Sequence, residues 1–561
     1  MFLPTTKEEL LNLGWEGLDV ILVSGDSYID SPFIGVSIIG KILLQAGYRV
    51  GFIAQPDITS GLDINRLGEP KLFWGVTGGS IDSMIANYTA TKKRRRSDDY
   101  TPGGINNRRP DRAVIAYANL IRHYFKQTRP IVLGGIEASL RRIPHYDYWS
   151  DRVRGSILFD AKADFILYGM AEKSVLEFAK ALSSSQNTSD IRGLCFISKE
   201  RKDGFIELPP FEKVAEDKAT FIQMFQTFYK NTDPHIGKGL CQQHGNRWLI
   251  QNPPPLSLSQ GEMDAIYEIE YERQQHPYYS RIGKVKALET IRFAIPTHRG
   301  CYGECNFCAI SVHEGRTVQW RSKKSIIKDA RILTKLPDFK GFILDISGPT
   351  ANMYGFECTK KLKNGSCVDK RCLYPDVCPL LKPDHKYQTD LLKELRKVPG
   401  VKKIFIASGI RYDMILADQV HGESYLHELV EHHVSGQLKV APEHSEKHIL
   451  DKMGKPGADL LLEFKRRFDI SSKQAKKRQF LTYYLLAAYP GCSEADMHKL
   501  QRFVSKELKI HPEQVQIFTP IPSTYASVMY YTEMDPISGD QIFVEKDIDR
   551  KQNQKKIIVD Q

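Results

Sequence analysis

No apolar run in this sequence approaches the ~18 residues that a membrane span needs. The best candidates, Leu18 to Val23 and Phe480 to Tyr489, have the length of buried strands. Lys7, Glu8 and Glu9 precede the first apolar run, so the amino terminus does not read as a secretory signal. A cytoplasmic chain with no membrane partner is expected. Internal repeats are lacking. Cysteine is scarce, ten in 561 residues, and in a reducing compartment these should be thiols or metal ligands, not disulfides. Charge of one sign is not in large excess. Lys plus Arg is 79 and Asp plus Glu is 67, a net +12, which reads first as solvated basic surface and only weakly as a nucleic-acid partner. Hydrophobic residues at 41% and charged residues at 26% are ordinary for a globular protein. That excludes a disordered, collagenous or disulfide-stapled chain. The length implies two to four domains.

What is present begins with short β-branched runs alternating with helical patterns. Strands are expected at Asp19–Ser24, Arg49–Ala54, Leu72–Val76, Ile131–Leu133, Asp164–Tyr168 and Leu194–Ile197. Helices are expected over Gly35–Ala46, Asp111–Gln127 and Ala171–Leu182. This alternation implies parallel βαβ units in a doubly wound sheet, whose ligands bind at the carboxyl ends of the strands. Those ends carry Asp26 to Gly35, Thr77 to Ser80 and Gly134 to Glu137. Lys92 to Arg96 begins a polar stretch reaching Arg112 that reads as a solvated insertion. The first domain is assigned to 1–250. Pro253-Pro254-Pro255 opens a linker over 251–285.

From 286 to 530 strand and helix alternate about six times. Strands are expected at Ile291–Ile295, Gly341–Ile346, Lys403–Ala407, Gln437–Val440, Leu481–Ala487 and Gln514–Phe518. Six such units suggest a partial barrel with its site at the carboxyl ends of the strands. A charged tail is assigned to 531–561.

The strongest signal follows the first of these strands: Cys301, Cys305 and Cys308, spaced Cys-x3-Cys-x2-Cys. Three thiolates on one short loop can grip three irons of a cubane, and Gly300 and Gly303 let the backbone bend around it. With no fourth local cysteine, one iron stays open. A structural zinc on the same three cysteines with His298 or His313 remains the competing reading. A second set, Cys358, Cys367, Cys372 and Cys378, lies in an unusually long loop over 349–386. It is a candidate second metal site, with zinc and a second iron–sulfur cluster both open. Cys195, Cys241 and Cys492 read as isolated thiols.

These residues resemble the radical S-adenosylmethionine (SAM) superfamily, and more closely the YgiQ family. The resemblance is carried by His298-Arg299-Gly300-Cys301, Cys308-Ala309-Ile310, His313-Glu314-Gly315-Arg316, Gly348-Pro349-Thr350-Ala351-Asn352-Met353-Tyr354 and Ala441-Pro442-Glu443-His444. Asp26-Ser27-Tyr28-Ile29-Asp30, Gly78-Gly79-Ser80 and Gly134-Gly135-Ile136-Glu137-Ala138-Ser139-Leu140 carry it in the first half. It implies an α/β protein, an amino-terminal doubly wound, cobalamin-binding-like sheet followed by a partial (β/α)6 radical SAM barrel. It also implies a [4Fe-4S] cluster on Cys301, Cys305 and Cys308. The open iron would chelate SAM, and one electron would release a 5′-deoxyadenosyl radical to act on a substrate that the sequence does not name.

Implied cofactor contacts are Phe307 near the adenine, Gly348 and Pro349 through the backbone, Ser408 toward ribose, Arg411 forked to the SAM carboxylate, and Glu443 toward ribose or amine. An electron donor such as flavodoxin or ferredoxin is the implied partner. RNA is a candidate substrate if the chain is instead a methylthiotransferase or methyltransferase acting on RNA or protein. A non-catalytic iron–sulfur or zinc nucleic-acid-binding protein is the third reading. Asp30, Pro32 and Gly35 match the spacing Asp-x-His-x-x-Gly of cobalamin domains, but Pro32 replaces the imidazole. Cobalamin is therefore not expected.

Overall fold

A computed structural model describes residues 1–512 and 514–560; Gln561, the last position of the expected tail, and the Ser347 side chain lie outside the described part. The chain forms two compact units, one of residues 1–257 with 269–292, the other of 258–268 with 293–561.

The first unit is built on a nine-stranded sheet. Its parallel part has Val20–Ser24 between Val50–Ala54 and Phe73–Thr77, followed by Ile131–Gly134 and Phe165–Leu167. In chain order this is 2-1-3-4-5, so the winding reverses between the first and third strands, and the ligand crevice of such a sheet opens there. The apolar runs are continuous because both faces are covered. Ile21, Val23, Trp74 and Val76 pack on Val114, Tyr117 and Ile121 of the helix Ala113–Tyr124. Val20, Leu22 and Phe73 face Leu43, Val175 and Phe178 from Gly35–Gln45 and Glu172–Ser183.

The sheet then changes direction. Leu194–Ser198 is antiparallel to Phe165–Leu167, and the hairpin Leu240–His244/Arg247–Gln251 and the edge strand Ile206–Leu208 extend it. The segment expected to be a linker divides. The helix Gln260–Tyr267 buries Met263, Ile266 and Tyr267 in the second unit. Gln274–Gln275 returns to pair with Ile29–Asp30 of the first.

In the second unit the successive βα strands pair parallel and in chain order: Ala294–Pro296 with Asp345–Ser347, Phe342–Ile343 with Lys403–Ile404, Ile410 with Val440, Gln437–Glu443 with Phe480–Ala487, and Phe480–Ala487 with Val515–Ile517, while the short pair His298–Arg299/Gln319–Trp320 beside the cysteine loop is antiparallel. Helices Lys323–Leu333, Lys386–Leu395, Gly422–Glu428, Ala458–Gln474 and Glu494–Phe503 connect them. Ile291 closes the helix Ala287–Ile291 instead of opening a strand, which starts at Ala294.

The expected charged tail contains a helix, Ile548–Val559, with Lys551, Gln554 and Ile558 buried along one face. Its Gln554 accepts the Ala488 N–H at 3.0 Å. Lys551 is itself buried, donating to the Tyr530 hydroxyl at 2.6 Å, so a charged composition hid the buried face. Among the described residues no helix is long and apolar enough to cross a membrane.

Candidate metal and cofactor centre

The loop after Ala294–Pro296 carries the three cysteines. Gly300 turns it at φ +81°, and a Cβ there would strike Thr317 backbone. Gly303 is needed for space. A Cβ there would lie 3.2 Å from Arg411 Nη1, 3.2 Å from Cys301 Sγ and 3.6 Å from Cys305 Sγ. The Gly303 N–H points at Cys301 Sγ at 3.3 Å, and Thr350 Oγ1 is 3.7 Å from the same sulfur. Asn306 pins the loop, donating to Lys452 O at 2.7 Å and receiving Arg371 Nη2 at 2.7 Å. Burial, with Cys305 beside them, pushes the Cys301 and Cys308 thiols above the ordinary thiol range. An anionic sulfur there needs a cation, as metal coordination provides.

The three sulfurs are not gathered as the ligands of a single zinc ion would be. Zinc–sulfur bonds of about 2.3 Å put the ligands of a tetrahedral ion about 3.8 Å apart. The described residues gather two triads of ligating atoms within 4.8 Å, Asp384/Asp418/His421 and Glu446/His448/Asp496, and neither contains a cysteine. His298 is also committed. Its Nε2–H donates to Thr350 O at 2.9 Å, which leaves Nδ1 to accept from Thr297 Oγ1 at 2.8 Å.

Burial holds the His298 ring at about 4, only partly offset by that bond to Thr350. The unfolded ring, at about 6.5, takes a proton more readily than the folded one. Stability present above about pH 6.5 is therefore lost as pH falls toward 4. His298→Gln should flatten the pH dependence of unfolding in that window, where the ring contributes at most about 3 kcal/mol. Denaturant titrations at pH 7 and pH 5 would check it; an unchanged difference between them would count against a buried neutral ring.

The other expected contacts come from neighbouring strand ends. Arg411 is buried; its Nε and Nη2 hold Asp413, and its Nη1 faces Cys305 Sγ at 3.7 Å. Burial opposes its charge, but Asp413 outweighs that and holds it firmly cationic. The fork expected for the SAM carboxylate is thus spent on Asp413, a pairing two residues along that carried no sequence signal. Glu443 sits on a bulge at φ +69°, 3.5 Å from Lys455. Burial raises its carboxyl against the pull of Lys455. Lys455 Nζ is 5.8 Å from the Phe307 ring centre and acts electrostatically on Cys308. Sequence reasoning missed it. Phe307 also meets Tyr489 edge-on at 6.3 Å. Gly348 approaches the His298 ring so closely that a Cβ would lie 2.7 Å from it. Pro349 is half-buried. The Ser408 hydroxyl donates to Asp345, away from any ribose role through that proton.

The 349–386 loop packs against this centre. Cys358 is buried in one cluster with Tyr302 and Met353, and the half-buried Cys301, Cys372 and Cys378 pack against it. Burial pushes Cys372 up to about 11, although Lys361 Nζ at 3.8 Å pulls the other way. Cys367 meets Lys360 instead, at 3.4 Å. Cys195, Cys241 and Cys492 are fully buried thiols.

The family model described as Radical SAM N-terminal matches residues 2–294. A UPF0313 protein of Fusobacterium nucleatum subsp. nucleatum is 56% identical over 560 residues, spanning 100% of this chain and 99% of its own. One from Methanocella arvoryzae is 49% identical, over 97% of this chain and 91% of its own. A solved structure of the radical SAM methyltransferase TsrM from Kitasatospora setae, with cobalamin and a [4Fe-4S] cluster bound, has a TM-score of 0.50 at 14% identity, covering 90% of this chain and 76% of that one. That likeness is one of fold, and it lends no support to the expectation that this chain does without cobalamin. The chain belongs to the UPF0313, YgiQ-like family of radical SAM proteins.

Proposed function

We propose that the chain is a radical SAM enzyme whose partial barrel presents a [4Fe-4S] cluster on Cys301, Cys305 and Cys308. The observation that carries this is the packing of three thiols on a glycine-turned loop, with a buried cation, Arg411, against one of them. With cluster and SAM bound, the site would supply one-electron reductive cleavage of the sulfonium bond. This chain's own residues do the rest. Gly303 keeps the loop open to Arg411. Phe307 offers an apolar face to the adenine. Lys455 and Glu443 form a paired cation and acid beside it, the cation matched to a carboxylate and the acid to an ammonium. Gly303, Arg411 and Lys455 are buried and Phe307 and Glu443 half-buried, which limits the access of water to the reacting bond.

At the motif spaced like that of cobalamin domains, the first unit offers cobalt no protein ligand. Pro32 has no imidazole. Asp30, the acid of the motif, is taken by Lys41 at 2.9 Å and Ser37 at 2.6 Å. The crevice where the winding reverses is filled by the chain itself. Arg109, fully buried, reaches Asp26 at 2.8 Å, Asp98 at 3.1 Å and Gly78 O at 2.7 Å. Gln55 adds bonds to Gly25 O and Thr101. The polar stretch ending at Arg112 is therefore only partly the solvated insertion its composition suggests. Lys93–Ser97 is exposed, while Asp98 and Arg109 are core.

The test is anaerobic. Reconstituted, reduced protein should convert SAM to 5′-deoxyadenosine and methionine. Absence of 5′-deoxyadenosine with a full cluster, with dithionite or a flavodoxin system and with cell extract as substrate source, would favour the non-catalytic reading.

A further inference from the structure

A chain of buried polar groups runs from the helix after the third strand of the second unit to the cysteine loop. Asp418 Oδ2 accepts from His385 Nδ1 at 2.9 Å and from the His385 backbone N–H at 2.8 Å. His385 Nε2 lies 3.1 Å from Asn352 Nδ2. The Asn352 amide then grips the Arg411 backbone at both ends: Nδ2 donates to Arg411 O at 2.9 Å, and Oδ1 accepts from Arg411 N at 2.8 Å. Asn352 and His385 are completely buried.

The chemistry of the chain is determined throughout. The two backbone bonds fix which end of the Asn352 amide is nitrogen. His385 Nε2 must therefore accept, and its proton sits on Nδ1, facing Asp418. Tyr425 stacks on the ring at 4.6 Å and keeps it in plane. The far end of the chain is Arg411, with Nε and Nη2 locked by Asp413 and Nη1 facing Cys305 Sγ at 3.7 Å. The absence of a side chain at Gly303 makes room for it. Two loops and a helix are spent on placing one N–H against one sulfur.

We infer that Arg411 sets the reduction potential of the cluster, and that Asn352, His385 and Asp418 are the positioning residues that aim it. This rests on the proposed cluster at Cys301, Cys305 and Cys308. Asp413 offsets most of the guanidinium charge, so the effect works through the directed N–H. A hydrogen bond to a ligating sulfur stabilises the reduced, more electron-rich state more than the oxidised one and raises the potential. In a buried site the interaction is not diluted by water. A role for Arg411 confined to holding SAM would leave the potential of the SAM-free protein unchanged.

The experiment is a spectroelectrochemical titration of the full-length, reconstituted protein without SAM. Arg411→Gln combined with Asp413→Asn removes the pair without stranding a buried charge. It should lower the midpoint so that the reduced-to-oxidised ratio at a fixed poise falls about tenfold, 59 mV for one electron. Arg411→Lys should fall between this and wild type. Asn352→Ser, which alters no charge, should shift the midpoint in the same direction by less, and it serves as the test if the double variant does not fold. Variants with full iron and sulfide that titrate at the wild-type potential would overturn the inference and leave the cluster standing. A wild-type protein that takes up no cluster would overturn both.

Discussion

Cys305→Ala should abolish the broad iron–sulfur absorption of anaerobically reconstituted protein and remove about four irons per chain. The expectation follows from geometry. Cys305 is the middle cysteine of the loop and the sulfur that Arg411 addresses. Two thiols cannot hold a cubane that three were placed to hold. The comparison with Cys372→Ala is the informative part. If the 349–386 loop holds its own metal, that variant loses only the iron or zinc in excess of one cubane and keeps the absorption of the first. If Cys358, Cys372 and Cys378 only pack the loop against Tyr302 and Met353, the metal content is unchanged and stability falls instead. Zinc retained by wild type without acid-labile sulfide would contradict the cluster at Cys305 itself.

Arg109→Met should destabilise the first unit by about 3–5 kcal/mol. The side chain is fully buried between Asp26 and Asp98, and its removal leaves two carboxylates in a dry crevice with no counter-charge. Burial opposes the Arg109 charge, but the two acids more than compensate, so the native state depends on that ion pair network being complete. For a unit of this size the loss should lower the unfolding midpoint by roughly ten degrees. Combining Arg109→Met with Asp26→Asn and Asp98→Asn should recover most of it, because the cost lies in the stranded charges. Differential scanning calorimetry of the three proteins checks both statements. A single variant within 1 kcal/mol of wild type would mean that the crevice is open to water and free to take a ligand.

The fold was legible where burial on both faces writes an uninterrupted apolar run. Val20–Ser24, Val50–Ala54 and Ile131–Gly134 were read within a residue of their ends. The hairpin Leu240–His244/Arg247–Gln251 was missed, because its strands, though mostly buried, mix Gln, His and Arg with only a few apolar positions. The Ile548–Val559 helix was missed for a similar reason, since two of its three buried residues are Lys551 and Gln554. At the centre, spacing alone found the three cysteines, because metal ligation demands particular residues at short separations. Asn352, His385, Asp413 and Asp418 were invisible as a set. They lie within 67 positions of one another but meet only through tertiary contacts. Arg109 was hidden for the same reason, since a buried ion pair in a polar stretch looks like a solvated loop.

The proposed cluster has three protein ligands and one iron left open for SAM. Mössbauer spectroscopy of reconstituted protein, recorded before and after adding SAM, measures that directly. One iron in four should change its isomer shift when SAM binds, and the other three should not. Four irons that stay equivalent with SAM present would mean a fourth protein ligand closes the cluster, and the three-thiol site would then be an electron-transfer or structural centre.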